Sequence, residues 1–427
     1  MRRHPTDFTH ALSCGRPPNV VKLFPNSRAL IVSGKVIDRA MLAKGQAMTI
    51  AVNARNLIIV IGALMAAQEA NAAIIIEIAK SEGGANPYCA LNFWNLALYV
   101  DAIMNRLGIT VPVAIHADHY GIKSAKDAGT ASIEIPTMFD AGLTSIAIDA
   151  SHMPDDQNLQ ACLHLFQFIP DWSGLEVEVG EIKGKKGLST KEEALFLIQG
   201  LNAHSIFPDW IALNNGTTHG IEASDAGIQV DLTAQIHEAL APYKVSGAQH
   251  GTSGNNYDRL RDIMARTRTT KANVATALQM ISWGLRVNDY GNAIQQPSGD
   301  FIKQAGEGVT EDLWTAMVAY ATKQGLKAGD YKKLNLPFEN KILSQPKAIQ
   351  NRMVKRVRDF VYYLLTEVFN AQGTAPLAIE AILTASKCDL ESKATRLEDP
   401  AKWTDDFIRE QGQALAQKQD KEGNHDD

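Results

Sequence analysis

Two histidines and an aspartate end a run of apolar residues in the first third of the chain. Residues 111–121 read VPVAIHADHYG, so β-branched residues give way to His116, Asp118 and His119. An apolar run of this kind is typical of a fully buried strand. Imidazoles and carboxylates can bind a metal ion or transfer protons, and in parallel α/β barrels such groups gather where strands end. The segment therefore predicts chemistry at the C-terminal end of this strand.

Three histidines share this setting. His119, His219 and His250 each adjoin a glycine or an aspartate at the predicted end of a strand. No two of them form a local HxxxH pair, so only the fold can bring them together. Each alone could equally be a hydrogen-bonded structural histidine, but three neutral imidazoles with an open position suit a catalytic zinc ion. We interpret His116 as a residue of the core or of the metal's surroundings.

Eight short apolar runs would position these strand ends. They alternate with helical patterns, which indicates βαβ units and a parallel sheet. Eight units predict an α/β fold of the closed (β/α)8 TIM-barrel type. No G-x-G-x-x-G segment follows the first run, which disfavours a doubly wound sheet. The predicted strands are 48–53, 72–79, 111–118, 144–149, 175–180, 210–216, 244–250 and 284–289.

The strand–helix rhythm covers only part of the chain, and helical patterns follow it. The predicted parts are an irregular lead-in at 1–45 with one short helix near 38–44, the barrel at 46–296, a helical C-terminal extension at 297–414 and a polar, frayed tail at 415–427. In the extension, Leu364, Leu365 and Phe369 indicate a helix buried against the barrel or against a second subunit. We therefore expect a homo-oligomer, a dimer or larger.

The composition restricts the class of protein. The 427 residues are 45% hydrophobic and 21% charged, and the formal net charge of −5 disfavours a general nucleic-acid binder. No apolar run reaches the roughly 18 residues that a membrane span needs, and the first residues lack the apolar core of a secretory signal. The four cysteines form no CxxC pair, so we expect reduced thiols in a cytoplasmic protein.

Five segments resemble, in order and spacing, the class II zinc-dependent fructose-bisphosphate and tagatose-bisphosphate aldolases. The resemblance runs from about residue 40 to residue 292. Its segments are HADH at 116–119, TSIAIDASH at 144–152, EVEVG at 176–180, GTTHG at 216–220 and HGTSG at 250–254. The last also suits phosphate binding by itself, because glycines let backbone N–H groups approach an anion and Ser253 adds a hydroxyl group.

The resemblance implies the site and the reaction. The implied zinc ligands are His119, His219 and His250, and the implied secondary metal-site carboxylate is Asp149. The implied catalytic residues are Asp118, the acid/base for the C4 hydroxyl group, and Glu178. The implied substrate- or phosphate-binding residues are Ser81, Gly220, Gly251, Ser253 and Asn288. One zinc ion per chain would stabilise an enediolate, and a monovalent cation could accompany it. The implied reaction is reversible cleavage of a ketose bisphosphate, most simply the glycolytic substrate fructose 1,6-bisphosphate, to dihydroxyacetone phosphate and glyceraldehyde 3-phosphate.

Two segments depart from the family pattern. After the fifth strand the family has a Gly-Gly pair and an acidic loop that carries a base, whereas Lys185 and Lys186 stand here and could bind an anion. The carboxylates that could replace the base are Glu181, Glu192 and Glu193. At the predicted eighth strand, the family's Asn-x-Asp-Thr becomes Asn288-Asp289-Tyr290-Gly291.

These departures keep two other functions open. One is a divergent aldolase or lyase with the same metal and enediolate chemistry but another phosphorylated or anionic substrate. The other is a non-catalytic zinc-binding barrel that serves as a partner subunit. Retention of Asp118 and Glu178 disfavours the latter, because an inactive site has no need of them. The expected partner is a small sugar phosphate, with neither nucleic acid nor membrane involved.

Overall fold

A closed barrel of eight parallel strands forms the centre of the protein. The computed structural model describes residues 5–180, 187–216 and 227–422. Each strand pairs with the next, and the eighth pairs with the first. The strands are β1 (Thr49–Asn53), β2 (Ile74–Ala79), β3 (Val113–Gly121), β4 (Ser145–Asp149), β5 (Gly174–Val179), β6 (Trp210–Leu213), β7 (Ser246–Gln249) and β8 (Thr269–Val274). The predicted (β/α)8 fold with additional C-terminal helices is confirmed.

Helices surround the barrel and extend beyond it. They are α1 (Pro5–Cys14), α2 (Pro18–Leu23), α3 (Gly34–Lys44), α4 (Leu57–Ala70), α5 (Lys80–Gly83), α6 (Leu96–Leu107), α7 (Ala125–Asp140), α8 (Asp155–Phe166), α9 (Lys191–Ala203), α10 (Val230–Ala239), α11 (Tyr257–Arg266), α12 (Thr276–Trp283), α13 (Glu311–Lys323), α14 (Asn335–Leu343), α15 (Lys347–Tyr363), α16 (Thr374–Ala385) and α17 (Asp405–Glu422). Ala241–Tyr243 and Ala328–Leu334 form 3₁₀ turns, and Leu364–Val368 continues α15 as a π-helix. None of the described helices combines the length and apolar character that crossing a membrane requires.

The eighth strand does not lie where the apolar pattern predicted it. The prediction of a strand at 284–289 was wrong, because β8 occupies Thr269–Val274 and all six of its residues are buried. Its sequence, TTKANV, is polar because Lys271 and Asn273 face polar partners inside the barrel. A buried strand filled with paired polar groups lacks the apolar run by which parallel strands are recognised. Residues 284–289 lie beyond α12 and bridge to the extension instead.

The first 45 residues are largely helical, so the expected irregular lead-in was also wrong within the part that the structure describes. Helix α3 lies against the N-terminal end of the barrel, where Gly34 approaches Ser145 so closely that a Cβ would come within 2.6 Å of its hydroxyl oxygen. The side chain of Ser33 caps α3 by accepting the Lys35 N–H. Helix α3 therefore closes the bottom of the barrel, whereas α1 packs against α16.

The extension packs on one side of the barrel. Helix α15 lies along α4, and Leu364, Leu365 and Phe369 are buried in the main core of the same chain. A second hydrophobic cluster, centred on Trp283 and Trp314, joins α12 to α13 and α14. Helix α17 continues to Glu422, so the frayed tail predicted from residue 415 is helical over most of its length. Boundaries at 45, 296 and 414, and a homo-oligomer, remain predictions.

Candidate active site

A cavity of about 1100 Å³ opens at the C-terminal ends of the strands. Polar side chains from most of the strands reach it, which matches the crowding of polar residues at the predicted strand ends. Eight of the predicted site residues line this cavity: Ser81, Asp118, His119, Asp149, Glu178, His250, Gly251 and Ser253. The barrel therefore collects residues that are far apart in sequence at one mouth.

Two predicted zinc ligands face each other. Nε2 of His119 lies 2.6 Å from Nδ1 of His250, and the ring centroids are 4.2 Å apart. His119 reaches this position because the β3–β4 register shifts between Ala117 and Tyr120, and His119 itself has a left-handed φ of 42°. Such a conformation is uncommon for a residue with a side chain and is often found at functional sites. This local distortion turns His119 towards the cavity.

Buried carboxylates surround the histidine pair. His119 Nδ1 lies 3.0 Å from Oε1 of Glu178 and 3.5 Å from Oδ2 of Asp149. Burial raises the pKa of Glu178, and the charge of Asp149 raises it further. Burial alone would lower the pKa of His119, but the carboxylates of Glu178 and Asp118 raise it well above its ordinary value. The cluster therefore carries a high density of negative charge beside two imidazoles.

This donor set fits a divalent cation. Ligand atoms of Asp118, His119 and His250 lie within 4.8 Å of one another, and so do those of His119, Asp149 and Glu178. Oε1 of Glu178 is buried and lies 3.0 Å from Nδ1 of His119. Two buried carboxylates as close together as those of Glu178 and Asp149 are unfavourable unless positive charge compensates them. Imidazole nitrogens with carboxylate oxygens are the donors that zinc prefers.

Asp118 is held by two amides at the edge of this cluster. Nδ2 of Asn273 donates to its Oδ1 atom at 2.9 Å, and Nδ2 of Asn53 lies 3.4 Å from Oδ2. Burial opposes the ionisation of Asp118, but the charges of His119 and Lys271 outweigh it and lower the pKa to about 2. Asp118 is therefore ionised at neutral pH and can accept a proton.

Asn288 is not at the end of a strand. Its Oδ1 atom accepts the backbone N–H groups of Tyr290 and Asn292 in a turn beyond α12, and it is not among the residues that line the cavity. Its assignment as a phosphate ligand rested on the wrong eighth strand. The residues at the end of the real strand and directly after it are Asn273-Val274-Ala275-Thr276, which keep the first and last members of Asn-x-Asp-Thr. That spacing was the available sequence signal, and it shows alanine where the family has an acidic residue.

The loop after β7 lies beside the start of α12. The Ser253 hydroxyl oxygen is 3.3 Å from the Ala275 N–H group and 3.4 Å from that of Ala277, and accepts both. Gly251 and Gly254 adopt positive φ angles of 61° and 85°, which glycine tolerates best. The loop therefore brings backbone groups to the cavity wall next to the beginning of a helix, where anions are favoured.

Several predicted residues cannot be placed. His219, Gly220, Lys185, Lys186 and Glu181 lie outside the described residues. Of the other two carboxylates suggested as a base, Glu192 is exposed on α9, and Glu193 accepts the Thr190 N–H and hydroxyl hydrogen bonds at the start of that helix. Neither lines the cavity, so the candidates for this base within the described residues are not supported.

The structure adds basic residues that the sequence reasoning missed. Nε of Arg55, just after β1, donates to Oε1 of Glu82 at 2.6 Å, and its Nη1 lies 3.2 Å from Oε1 of Gln279. Lys332, from the C-terminal extension, lines the same cavity. A single arginine after a strand and a lysine far along the chain carry no motif, so only the fold reveals them together.

Comparison with known proteins identifies the family. Residues 35–324 match the family model described as fructose-bisphosphate aldolase class-II. The chain belongs to the class II fructose-bisphosphate aldolase family. The fructose-bisphosphate aldolase of Staphylococcus epidermidis is 34% identical over 135 residues, 31% of this chain and 43% of the relative. That of Mycoplasma pneumoniae is 28% identical over 194 residues, 45% of this chain and 62% of the relative.

Two solved structures of aldolases share the fold. The YdjI aldolase from Escherichia coli K12 has a TM-score of 0.54 at 16% identity, covering 81% of this chain and 99% of that one. The fructose-bisphosphate aldolase from Campylobacter jejuni has a TM-score of 0.55 at 18% identity, covering 81% and 97%. By sequence, the chain spans less than two thirds of the length of the curated relatives named above.

Proposed function

We propose that this protein is a zinc-dependent aldolase that cleaves a ketose bisphosphate, most simply fructose 1,6-bisphosphate. The observation that carries the proposal is the pair of facing imidazoles of His119 and His250 beside the ionised Asp118, in a cavity at the mouth of the barrel. Family membership supports the same reaction. The third predicted ligand, His219, would complete the set.

The metal site would hold its ion through His119 and His250, with Glu178 or Asp149 adding a carboxylate. A zinc ion bound there would supply positive charge that polarises the ketone and stabilises the enediolate. The chain's own contribution is to fix the two imidazoles and to keep negative charge close to them. The buried carboxylates of Glu178 and Asp149, each within 3.5 Å of His119 Nδ1, support a cation in this position.

Asp118 would transfer the proton at C4. It is ionised, lines the cavity and is oriented by the amides of Asn273 and Asn53. In the cleavage direction its carboxylate would accept the proton of the C4 hydroxyl group as the C3–C4 bond breaks. In the synthetic direction the same carboxyl group would return that proton to the aldehyde oxygen. A positioned acid/base group of this kind contributes roughly 100- to 10,000-fold to a rate.

Two walls of the cavity suit the two anionic ends of the substrate. On one side, Gly251 and Ser253 lie beside the start of α12, and the resemblance to the family implies that they hold the ketose phosphate. Elsewhere in the cavity, Arg55 and Lys332 bring positive charge from the β1 end and from the extension. Cations and helix N-termini both bind phosphate. The arrangement therefore favours a substrate with more than one anionic group.

The test is cleavage of fructose 1,6-bisphosphate by the purified full chain. We expect one zinc ion per chain, formation of dihydroxyacetone phosphate, loss of activity with a chelator and recovery when zinc is restored. Absence of zinc binding would contradict the whole proposal. Zinc binding without cleavage would instead move the assignment to a different substrate.

A second candidate is an aldolase with the same metal chemistry but another aldehyde partner. Ala275 favours it, because the chain lacks a carboxylate at the position where the family pattern has one. A hydrogen-exchange assay on dihydroxyacetone phosphate separates the two. Exchange with solvent in the absence of fructose 1,6-bisphosphate cleavage would support the second candidate, and a panel of aldehydes would then identify the acceptor.

A further inference from the structure

A completely buried lysine lies inside the barrel beneath the histidine pair. Lys271, on β8, has no exposed side-chain surface. Its Nζ atom donates to Oε2 of Glu176 at 2.7 Å, and lies 3.2 Å from both Nε2 of His116 and Oε2 of Glu77. Oδ1 of Asp118 is 4.0 Å away. One cation therefore contacts side chains of β2, β3 and β5.

Such a charge is expensive to bury unless it is paired. Removing an ammonium group from water costs several kcal/mol, which close carboxylates must offset. Burial alone would lower the pKa of Lys271, but Glu176 and Glu77 hold it above its ordinary value. Burial and the nearby charge of Asp118 raise the pKa of Glu77 well above its ordinary value. The Lys271 Nζ atom therefore lies 2.7 Å from a carboxylate oxygen of Glu176, 3.2 Å from one of Glu77 and 4.0 Å from one of Asp118.

Glu176 connects this lysine to a predicted zinc ligand. Its Oε2 atom accepts from Lys271, whereas Oε1 lies 2.8 Å from Nε2 of His250. A carboxylate can only accept, so the Nε2 atom of His250 carries the proton and its Nδ1 atom keeps a free lone pair. Nδ1 is the atom that faces His119. A carboxylate behind a histidine in this way fixes the tautomer that binds a metal.

The same lysine lies beside the predicted acid/base residue. The oxygen of Asp118 that is 4.0 Å from Nζ is the one that accepts from Asn273, whose backbone is two residues beyond Lys271 on β8. Lys271 and Asn273 therefore point into the barrel from one strand and act on one carboxylate. Its charge would hold Asp118 at a fixed place.

We propose that Lys271 is a positioning residue for both the metal ligand and the acid/base residue. It orients His250 through Glu176 and holds Asp118 in place from inside the barrel. It touches neither substrate nor metal. The inference rests on the proposed zinc-dependent function, and it adds a residue that no sequence motif indicated. Beyond the proposed function, the inference states that zinc affinity depends on a lysine that is not a ligand.

The test compares zinc binding and kinetics in Lys271→Met, Lys271→Arg and the wild type. We expect Lys271→Met to weaken zinc binding by about 10- to 100-fold, the usual loss when a residue supporting a ligand is removed. The absorption spectrum of the cobalt-substituted protein should shift, and kcat should fall more than KM changes. Lys271→Arg should recover much of the zinc affinity, because it retains the charge.

Two control variants separate this role from general stability. Lys393→Met removes another buried lysine, at the opposite end of the barrel, and should lower the melting temperature without changing zinc affinity. Glu77→Gln keeps the shape of the side chain and leaves the Lys271–Glu176 contact in place, so zinc affinity should stay within about threefold of the wild type. Each variant is measured as the full chain.

A double-mutant cycle tests the route through Glu176. If Lys271 acts on His250 through Glu176, Lys271→Met should weaken zinc binding little further in a Glu176→Gln background. Fully additive losses would overturn the relay. Wild-type zinc affinity and an unchanged cobalt spectrum in Lys271→Met, with only a lower melting temperature, would overturn the proposal. If that variant does not fold, Lys271→Gln is judged by the same two outcomes.

Failure of the proposed function would look different. A wild-type protein that binds no zinc and cleaves no ketose bisphosphate would remove the zinc-dependent function, whatever the variants do. A wild-type protein that binds zinc, with a Lys271→Met variant that binds it equally well, would remove only the role of Lys271.

Discussion

Nε2 of His119 lies 2.6 Å from Nδ1 of His250, although 131 residues separate them along the chain. His119 lies on β3 and His250 directly follows β7, on opposite sides of the closed barrel. The contact exists because parallel strands end at the same mouth and because the bulge in β3 turns His119 inward. No local spacing encodes it. A metal site built from these two residues depends on closure of the barrel, so a variant that disrupts the barrel should also lose metal binding.

Replacing His250 should remove the metal. We expect His250→Ala to weaken zinc binding by more than about 100-fold, because loss of a ligand should exceed the loss from removing a residue that only supports one. Zinc per chain is measured by elemental analysis after gel filtration, with circular dichroism to confirm folding. His164→Ala, on an exposed part of α8, is the control and should retain its zinc. Equal zinc content in both variants would contradict the site.

Replacing Asp118 should separate metal binding from turnover. Asp118→Asn keeps the shape of the side chain and can still accept a hydrogen bond from Asn273, but it cannot take a proton. We expect zinc content near that of the wild type and kcat lower by at least about 100-fold. Steady-state cleavage of fructose 1,6-bisphosphate measures the effect. Full activity in this variant would show that another group moves the C4 proton.

The sequence predicted the first seven strands because their buried faces are apolar. It predicted polar strand ends because polar residues directly follow those apolar runs. It failed at β8, where Lys271 and Asn273 fill the interior with charge and amide groups that only other strands can satisfy. It also missed Arg55 and Lys332, since their convergence depends on how the extension packs against α4 and α12. Strand order can be inferred from periodicity, whereas partners across a barrel require the fold.

The extension should contribute to substrate binding through Lys332. Lys332 lines the cavity, whereas the next residue, Lys333, is about half exposed and pairs with Asp330 at 2.9 Å. Loss of a charged contact to phosphate is typically about 1.5–3 kcal/mol, so Lys332→Ala should raise KM for fructose 1,6-bisphosphate by roughly 10-fold or more. Lys333→Ala is the matched control and should change KM little. Similar KM values for the two variants would exclude a substrate contact from Lys332.

Stability should depend on pH through Glu339, where α14 meets the start of α4. Its Oε1 atom accepts the Leu57 N–H group, and its Oε2 atom is buried without a partner in the described chain. Burial raises the pKa of Glu339 to about 7, above an ordinary value of 4.5. The folded state therefore binds more protons than the unfolded state between these values, so this group's contribution is complete below about pH 4.5 and is lost as the pH rises towards 7.

Glu339→Gln should remove this loss of stability at rising pH. The variant is neutral at every pH, so we expect it to be more stable than the wild type at pH 8 and similar at pH 4. Urea unfolding midpoints across this range measure the difference. The exposed Glu410→Gln on α17 should follow the wild-type profile. A Glu339→Gln profile parallel to that of the wild type would show that Glu339 does not carry the pH dependence.

At the opposite end of the barrel, Lys393 should anchor the C-terminal segment. Its Nζ atom lies 2.5 Å from Oδ2 of Asp38 on α3, and it donates to the Asp209 carbonyl oxygen at 2.9 Å and to the Ser246 hydroxyl oxygen at 2.8 Å. Its side chain is only 8% exposed. Breaking a buried pair from one side leaves the other charge uncompensated, at a cost of about 3–5 kcal/mol.

We therefore expect Lys393→Ala to lower the free energy of unfolding by about that amount, as measured by urea denaturation. Lys402→Ala, at an exposed position of the same C-terminal segment, is the control and should change it by less than about 0.5 kcal/mol. Replacing both Asp38 and Lys393 with apolar residues should recover part of the loss, because no charge is then left unpaired. A single variant as stable as Lys402→Ala would mean that the C-terminal segment is held without this ion pair.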